Sequence, residues 1–239
     1  MSKICAHRGM LNIKPENTIS SFKEALKYDI DGIELDVHLT KDEKIVVFHD
    51  FDLKRMCNND AYIKNLTYEE LKEIKVNDIE PIPQLFEVLE LIKNKNIILN
   101  IELKASSEIY SGIEEKVLNL INDYNIKDKI IISSFDHRAL KIVKDIDKEI
   151  KVGALYQGFF DNIVKYAVDN KFDAIHPHFL NIDKKIVKEA KENNIKINCY
   201  TINNMLAYNY IKHFNVDMII TNIADKILKR GNKWKKDIL

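Results

Sequence analysis

Short apolar, β-branched runs alternate along this chain with longer stretches in which apolar residues recur every three or four positions. The short runs predict strands at Lys3–Ala6, Gly32–Val37, Ile45–His49, Ile97–Leu103, Ile130–Ser134, Val152–Tyr156, Ala174–His176, Lys196–Tyr200 and Met218–Thr221. The longer ones predict helices at Thr18–Tyr28, Ile82–Lys93, Ile113–Tyr124, Arg138–Ile146, Phe160–Asn170, Asp183–Asn193 and Asn203–Phe214. Strands alternating with helices imply βαβ units and a parallel sheet.

Only seven residues, HLTKDEK, separate Val37 from Ile45. A parallel crossover needs about a dozen or more, so these two strands must form an antiparallel hairpin. Setting the returning strand aside leaves eight, the number in a (β/α)8 TIM barrel of the α/β class. Periodicity alone leaves a doubly wound open sheet as the structural alternative. The stretch Phe51–Pro81 is polar and weakly periodic, with one amphipathic piece at Tyr68–Ile74. It reads as an insertion over the barrel mouth, within a single domain spanning residues 1–239.

Composition narrows the partners. Lys+Arg and Asp+Glu balance at 37 each, so the chain has neither the basic footprint of a nucleic-acid binder nor a long-range field for an anionic membrane. No stable membrane association is expected, since no run approaches the roughly 18 apolar residues of a spanning helix. The opening MSKICAHRG has no long apolar stretch after a basic start, so no secretory signal is expected. The three distant cysteines, Cys5, Cys57 and Cys199, match no zinc spacing or disulfide framework. A reducing cytoplasm fits them. A homo-oligomer remains compatible with the sequence. The basic tail at Lys226–Lys236, with Trp234, reads as a solvated C-terminal helix.

Acidic residues on strands are the informative anomaly. Glu34 and Asp36 stand two apart in GIELDV and therefore share a face. Burying two carboxylates together is costly, through repulsion and desolvation. Glu102 repeats the pattern in NIELK. Salt bridges to Arg8 or Lys104 would explain one such acid. Three at strand ends point to one hard divalent cation, Mg²⁺ or Ca²⁺, rather than zinc. With the hairpin turn near Lys41–Asp42, antiparallel register puts Glu34 opposite His49 or Asp50 and folds His49 back onto the carboxylates. His7 ends the first strand, and in a barrel the C-terminal strand ends line the site. Imidazole titrates near neutrality, so two histidines beside a phosphate suit general acid–base work. Arg8 and Lys104 offer phosphate-binding charge. Glu16, in PENT ahead of a helix capped by Asn17 or Thr18, is a ligand, a substrate contact or a helix N-terminal charge.

Other histidines carry weaker signals. His38 is assigned a structural role, facing away from Asp36. His137 is a cap neighbour and His213 a surface residue. His176 and His178 end a strand and are assigned to the barrel mouth, His176 as a substrate contact.

Taken together, the segments resemble the glycerophosphodiester phosphodiesterase family. The resemblance rests on AHRG (6–9), PENT (15–18), GIELDVHLTKDEKIVVFHD (32–50), NIELK (100–104), SSFD (133–136), IHPH (175–178), CYTIN (199–203) and DMIITN (217–222), in the family's order across nearly the whole chain. It implies a TIM barrel that hydrolyses glycerophosphodiesters to sn-glycerol 3-phosphate and an alcohol. It implies His7 and His49 as the acid–base pair and Glu34, Asp36 and Glu102 as ligands of the divalent metal. It also implies Arg8 and Lys104 near the phosphate, with Glu16 at the site. Tyr200 stands where the family usually has tryptophan, in a segment packing on the glycerol, and TNIADK replaces a TD-x-P type ending. Two rival functions remain. One is a related barrel phospholipase acting on lipid phosphodiesters, disfavoured by the missing signal sequence and an expected lack of exposed apolar loops. The other is a non-catalytic phosphate-ligand binder.

Overall fold

The computed structural model describes residues 2–104 and 109–229. Eight parallel strands close on themselves: β1 (Lys3–His7), β2 (Gly32–Leu39), β6 (Ile98–Leu103), β7 (Ile130–Ser134), β8 (Lys151–Tyr156), β9 (Ala174–Pro177), β10 (Lys196–Ile202) and β11 (Met218–Thr221). Closure comes from β1, which pairs with β2 on one side and β11 on the other. That excludes the open sheet. The (β/α)8 barrel expected from the strand count is the observed fold.

Helices α1 (Ile19–Ala25), α4 (Leu85–Ile92), α5 (Ile113–Tyr124), α6 (His137–Ile146), α7 (Ile163–Asp169), α8 (Lys184–Glu192) and α9 (Met205–Ile211) cover the outside. In α4 the buried residues Leu85, Val88, Leu89 and Ile92 follow the i, i+3, i+4, i+7 rule of a helix with one apolar stripe. Several helices start on side-chain caps: Thr18, Asp136, Asp183 and Asn204 each accept a hydrogen bond from a backbone N–H in the first turn. Strand β2 is buried at every position, as expected of a parallel strand covered on both faces.

The antiparallel hairpin forms as the short connection requires. Strand β3 (Ile45–Val47) pairs Val37 with Val47, His38 with Val46 and Leu39 with Ile45. Its ladder runs on through Phe48, whose N–H donates to the Asp36 carbonyl at 3.0 Å. Because β1 pairs only with Cys5–His7 against Gly32–Glu34, the upper half of β2 is free on that edge, and β3 takes it.

Residues 51–81 hold the short helices α2 (Lys54–Cys57) and α3 (Tyr68–Leu71) and a two-stranded ribbon, β4 (Lys75–Val76) with β5 (Glu80–Pro81). Leu53, Ile63, Leu71 and Val76 form a small apolar cluster with Val46, Phe48 and Ile82, separate from the main core. Ser20, in α1, donates to Glu80 of this segment through both its N–H and its hydroxyl. Among the described residues no helix is long and apolar enough to cross a membrane. The Trp234 end of the tail lies outside them.

Candidate active site

The barrel interior is layered. At its base Cys5, Met218 and Ile220 pack with Ile98 and Ile131. One layer higher the lining turns polar, with Asn100 and Ser133 hydrogen-bonded at 3.0 Å and His176 and Asn198 in contact at 2.9 Å. Above these, strand register sets His7 beside Glu34 and Asp36 beside Glu102. The period-two rule that put Glu34 and Asp36 on one face thus points both inward, and β6 brings Glu102 to them. Oxygens of the three carboxylates lie within 4.8 Å of one another, all buried.

Two cations face these three acids. Lys104 Nζ lies 2.9 Å from Asp36 Oδ1 and also contacts Glu102, while Arg8 Nε lies 3.3 Å from Asp36 Oδ2. Asn17 donates to Asp36 at 2.8 Å. For Asp36, burial favours the neutral acid, but Lys104 and Arg8 outweigh it and hold the carboxyl far below its usual range. The other two go the opposite way. Burial, with Asp36 and Glu102 beside it, pushes Glu34 well up. Burial lifts Glu102 to about 7 despite Lys104. Glu34 Oε1 is buried without a hydrogen-bond partner among the described residues. An orphaned carboxylate oxygen in a cluster with one acid more than its cations is the donor set a hard divalent cation completes.

The two histidines flank this cluster. His7 Nε2 is 3.7 Å from Glu34, and its Nδ1 is 2.6 Å from Asn222 Oδ1. An amide oxygen has no proton to give, so Nδ1 carries it and Nε2 is a free base. Burial, then the Arg8 charge, pulls His7 down to about 3. His49 Nδ1 instead contacts the Asp50 carboxylate at 2.6 Å. Burial lowers His49 as well, while Asp36 and Asp50 oppose the drop. Arg8 adopts φ +55° and Gly9 φ +82°, a tight turn. A Cβ on Gly9 would meet Ser21 Oγ at 2.5 Å, so this turn needs glycine. It lets the Arg8 N–H reach a Glu34 side-chain oxygen at 3.1 Å while the guanidinium reaches Glu16 at 2.9 Å.

Two expectations need correction. His38 does not face away from Asp36. Residues two apart on a strand share a face, and His38 bonds Tyr110 Oη at 2.9 Å and the His49 carbonyl at 3.2 Å. It supports His49 from below. His176 is not at the mouth. It is fully buried in the polar layer under the carboxylates, so close to Gly153 that a Cβ there would strike its ring. His178, two residues on, is half-buried and stands edge-on to Tyr200 at 6.0 Å. Tyr200 is edge-on to Phe135 as well, at 5.9 Å, and its hydroxyl donates to the Tyr156 carbonyl at 3.0 Å. His137 opens α6 beside its Asp136 cap, and His213 is exposed, as read from sequence.

Three residues of the site escaped the sequence reading: Asn222, Asp50 and Arg55. Asp50 had a signal in the HD dipeptide. Asn222 closes the DMIITN segment that resembles the family but lies 215 residues from His7, and Arg55, in the aperiodic stretch 51–81, had no signal. Beside the carboxylates, Phe51, Glu102, Leu103, Lys104, Phe135 and Arg138 line a cleft of about 560 Å³.

The Glycerophosphoryl diester phosphodiesterase family model matches residues 7–226. The chain belongs to that family. A glycerophosphodiester phosphodiesterase of Caldanaerobacter subterraneus is 38% identical over 237 residues, covering 96% of this chain and 98% of that protein. One from Bacillus altitudinis is 35% identical, covering 98% and 100%. The solved structure of an Oleispira antarctica phosphodiesterase in complex with the product sn-glycerol-3-phosphate superposes with a TM-score of 0.88 at 26% identity, covering 95% of each chain.

Proposed function

We propose that this protein hydrolyses glycerophosphodiesters to sn-glycerol 3-phosphate and an alcohol. Family membership supports the reaction class. The observation that carries the reading is the buried trio Glu34, Asp36 and Glu102, with a Glu34 oxygen that has no partner among the described residues, His7 at 3.7 Å from Glu34 and His49 close enough to interact electrostatically with Asp36. In this reading the trio holds one divalent cation, Mg²⁺ or Ca²⁺. When bound, such an ion supplies charge neutralisation for the phosphoryl oxygens. Arg8 and Lys104 bind the phosphate, and Glu16 and Tyr200 contact the glycerol side.

His7, neutral and with Nε2 free, takes the proton from the attacking hydroxyl or water. His49, whose Nδ1–H is held by a carboxylate, carries a proton on Nε2 and gives it to the departing alkoxide as the P–O bond breaks. With water as the attacking group, His7 then loses its proton to solvent and His49 regains one. With the substrate's hydroxyl, a water opens the resulting cyclic phosphate with the roles reversed, His49 taking the water's proton and His7 returning its own to the departing hydroxyl. Either way one water is consumed and both histidines are restored. Release of glycerol 3-phosphate from a panel of glycerophosphodiesters tests this, with chelator and then Mg²⁺ or Ca²⁺ added back. Loss on chelation and recovery on add-back is expected. A metal-loaded protein releasing nothing from any member would sink the proposal.

A second reading, action on lipid phosphodiesters, gains from one observation. The expected lack of exposed apolar loops does not hold: Phe135, Phe159, Leu180 and Leu206 are exposed after barrel strands, Phe159 at 92% and Leu206 at 82%, and Phe51 is exposed after the hairpin strand. Turnover of lysophospholipid vesicles exceeding that of glycerophosphocholine would favour it.

A further inference from the structure

Arg55 comes from the insertion and yet reaches the centre of the site. Its Nε donates to Asp50 Oδ2 at 2.7 Å, and Nη2 donates to Glu16 Oε1 at 2.6 Å. Asp50 uses its other oxygen on His49 Nδ1, at 2.6 Å. Glu16 in turn is held from the other side by Arg8, which faces Asp36. One planar guanidinium therefore joins the segment after β1, the dipeptide after β3 and the insertion, in a row ending on an imidazole. Burial would raise Glu16, but Arg55 and Arg8 outweigh it and keep it ionised. Asp50 is likewise held low by Arg55 and His49 against burial. Arg55 is itself half exposed, and such an ion pair adds little to stability. What the contacts do is restrict orientation.

We propose that Arg55 is a positioning residue: by gripping Asp50 and Glu16 with adjacent edges of one guanidinium, it fixes the Asp50 carboxylate so that His49 keeps its proton on Nδ1 and aims Nε2 at the leaving group. This deepens the proposed reaction and rests on it. The insertion is in this view a part of the catalytic apparatus, delivering the residue that orients the second histidine. Lysine cannot replace the arginine. An ammonium is a point charge, and the geometry needs Nε and Nη2 directed at two different carboxylates, Asp50 and Glu16.

The test uses Arg55→Met, Arg55→Lys and Arg55→Ala in the full chain. Outer-layer partners of this kind are typically worth roughly 10–100-fold in activity. With glycerophosphocholine, whose leaving alkoxide needs a proton, both Met and Lys variants should lose kcat in about that range. With a p-nitrophenyl leaving group, which departs without one, the loss should be only a few-fold, on the order of the unprotonated background. Methylguanidine should restore the Ala variant, and methylammonium should not. Equal losses on both substrates, or full activity of Arg55→Lys, would overturn the proposal.

Nitrogen-15 NMR of the histidine side chains gives a readout independent of turnover. Wild type should hold His49 in the Nδ1–H form, and Arg55→Met should mix tautomers. An unchanged His49 tautomer in the Met variant overturns the positioning role even if no substrate is ever found. A wild type inactive on every diester, with the tautomer shift present, overturns the reaction and leaves the positioning intact. If the Met and Ala variants fail to fold, the Lys variant carries both readouts.

Discussion

His7 and His49 flank the same carboxylates from differently built parts of the molecule. His7 ends a barrel strand, is largely buried, and is backed by the neutral amide of Asn222. His49 follows a hairpin strand, is more open, and is backed by the Asp50 carboxylate, which the insertion steadies through Arg55. A neutral acceptor fixes a neutral imidazole. A carboxylate also stabilises the imidazolium. In the proposed reaction the first side would receive a proton and the second would part with one. The first side belongs to a barrel strand, while the second adjoins a segment with its own small core.

The most severe way to break this contrast is to remove the imidazoles. His7→Ala and His49→Ala should each lower kcat by about 10²–10⁴-fold on glycerophosphocholine. Only His49→Ala should recover substantially with a p-nitrophenyl leaving group. Recovery in His7→Ala instead would reverse the two assignments. Circular dichroism should show both proteins folded, since neither ring is part of the apolar core.

Next in size is the independence of the two cores. Leu53 is fully buried in the insertion's cluster, and Leu99 is fully buried in the barrel's. Truncation of either to alanine should cost about 2–5 kcal/mol. The consequences should differ. Leu53→Ala should raise amide exchange across residues 46–82 and depress activity while the barrel amides stay protected. Leu99→Ala should lower the global unfolding midpoint. Uniform loss of protection in Leu53→Ala would mean that the insertion and barrel open as one.

What was legible in the sequence follows the same division. The seven-residue connection after Val37 forced a hairpin, and that one constraint brought the strand count to eight and carried His49 back to the carboxylates. Glu34, Asp36 and Glu102 were legible because charge inside an apolar strand is costly and therefore conspicuous. His38 was misread although the period-two rule already put it on the Asp36 face. His176 was misread for a different reason: strand β9 runs one residue further than expected, leaving His176 a layer below the mouth. The contacts of Arg55 with Asp50 and of Asn222 with His7 are made only after the chain has closed, and periodicity does not announce them.

A smaller effect checks the polar layer beneath both histidines. His176 is fully buried, and burial pulls it down to about 3. Its unfolded value is about 6.5, so below that pH the unfolded chain takes up a proton that the folded protein refuses. Folded stability is therefore lost as pH falls from about 6.5 towards 3, and regained as pH rises. Replacing the group by a non-titrating one should flatten that limb. In His176→Gln the stability difference between pH 7 and pH 4.5, from urea midpoints, should shrink by roughly 2–3 kcal/mol. An unchanged acid limb would assign it to His7 and His38, which burial pulls down to about 3 and about 4.

The finest test exchanges the partners. In Asp50→Asn, His49 loses the carboxylate that opposes its desolvation, so its pKa falls further. An acid must be protonated to act, so the alkaline limb of the kcat profile should move to lower pH, and activity near neutrality should fall by about 10-fold for each unit moved. In Asn222→Asp, His7 gains a carboxylate and its pKa rises. A base must be unprotonated, so the acid limb should move to higher pH. The two limbs close on each other from opposite sides, and the double variant should have the narrowest optimum. If Asp50→Asn moved the acid limb instead, the carboxylate behind His49 would be serving a base, and the contrast between the two sides would hold with its chemistry inverted.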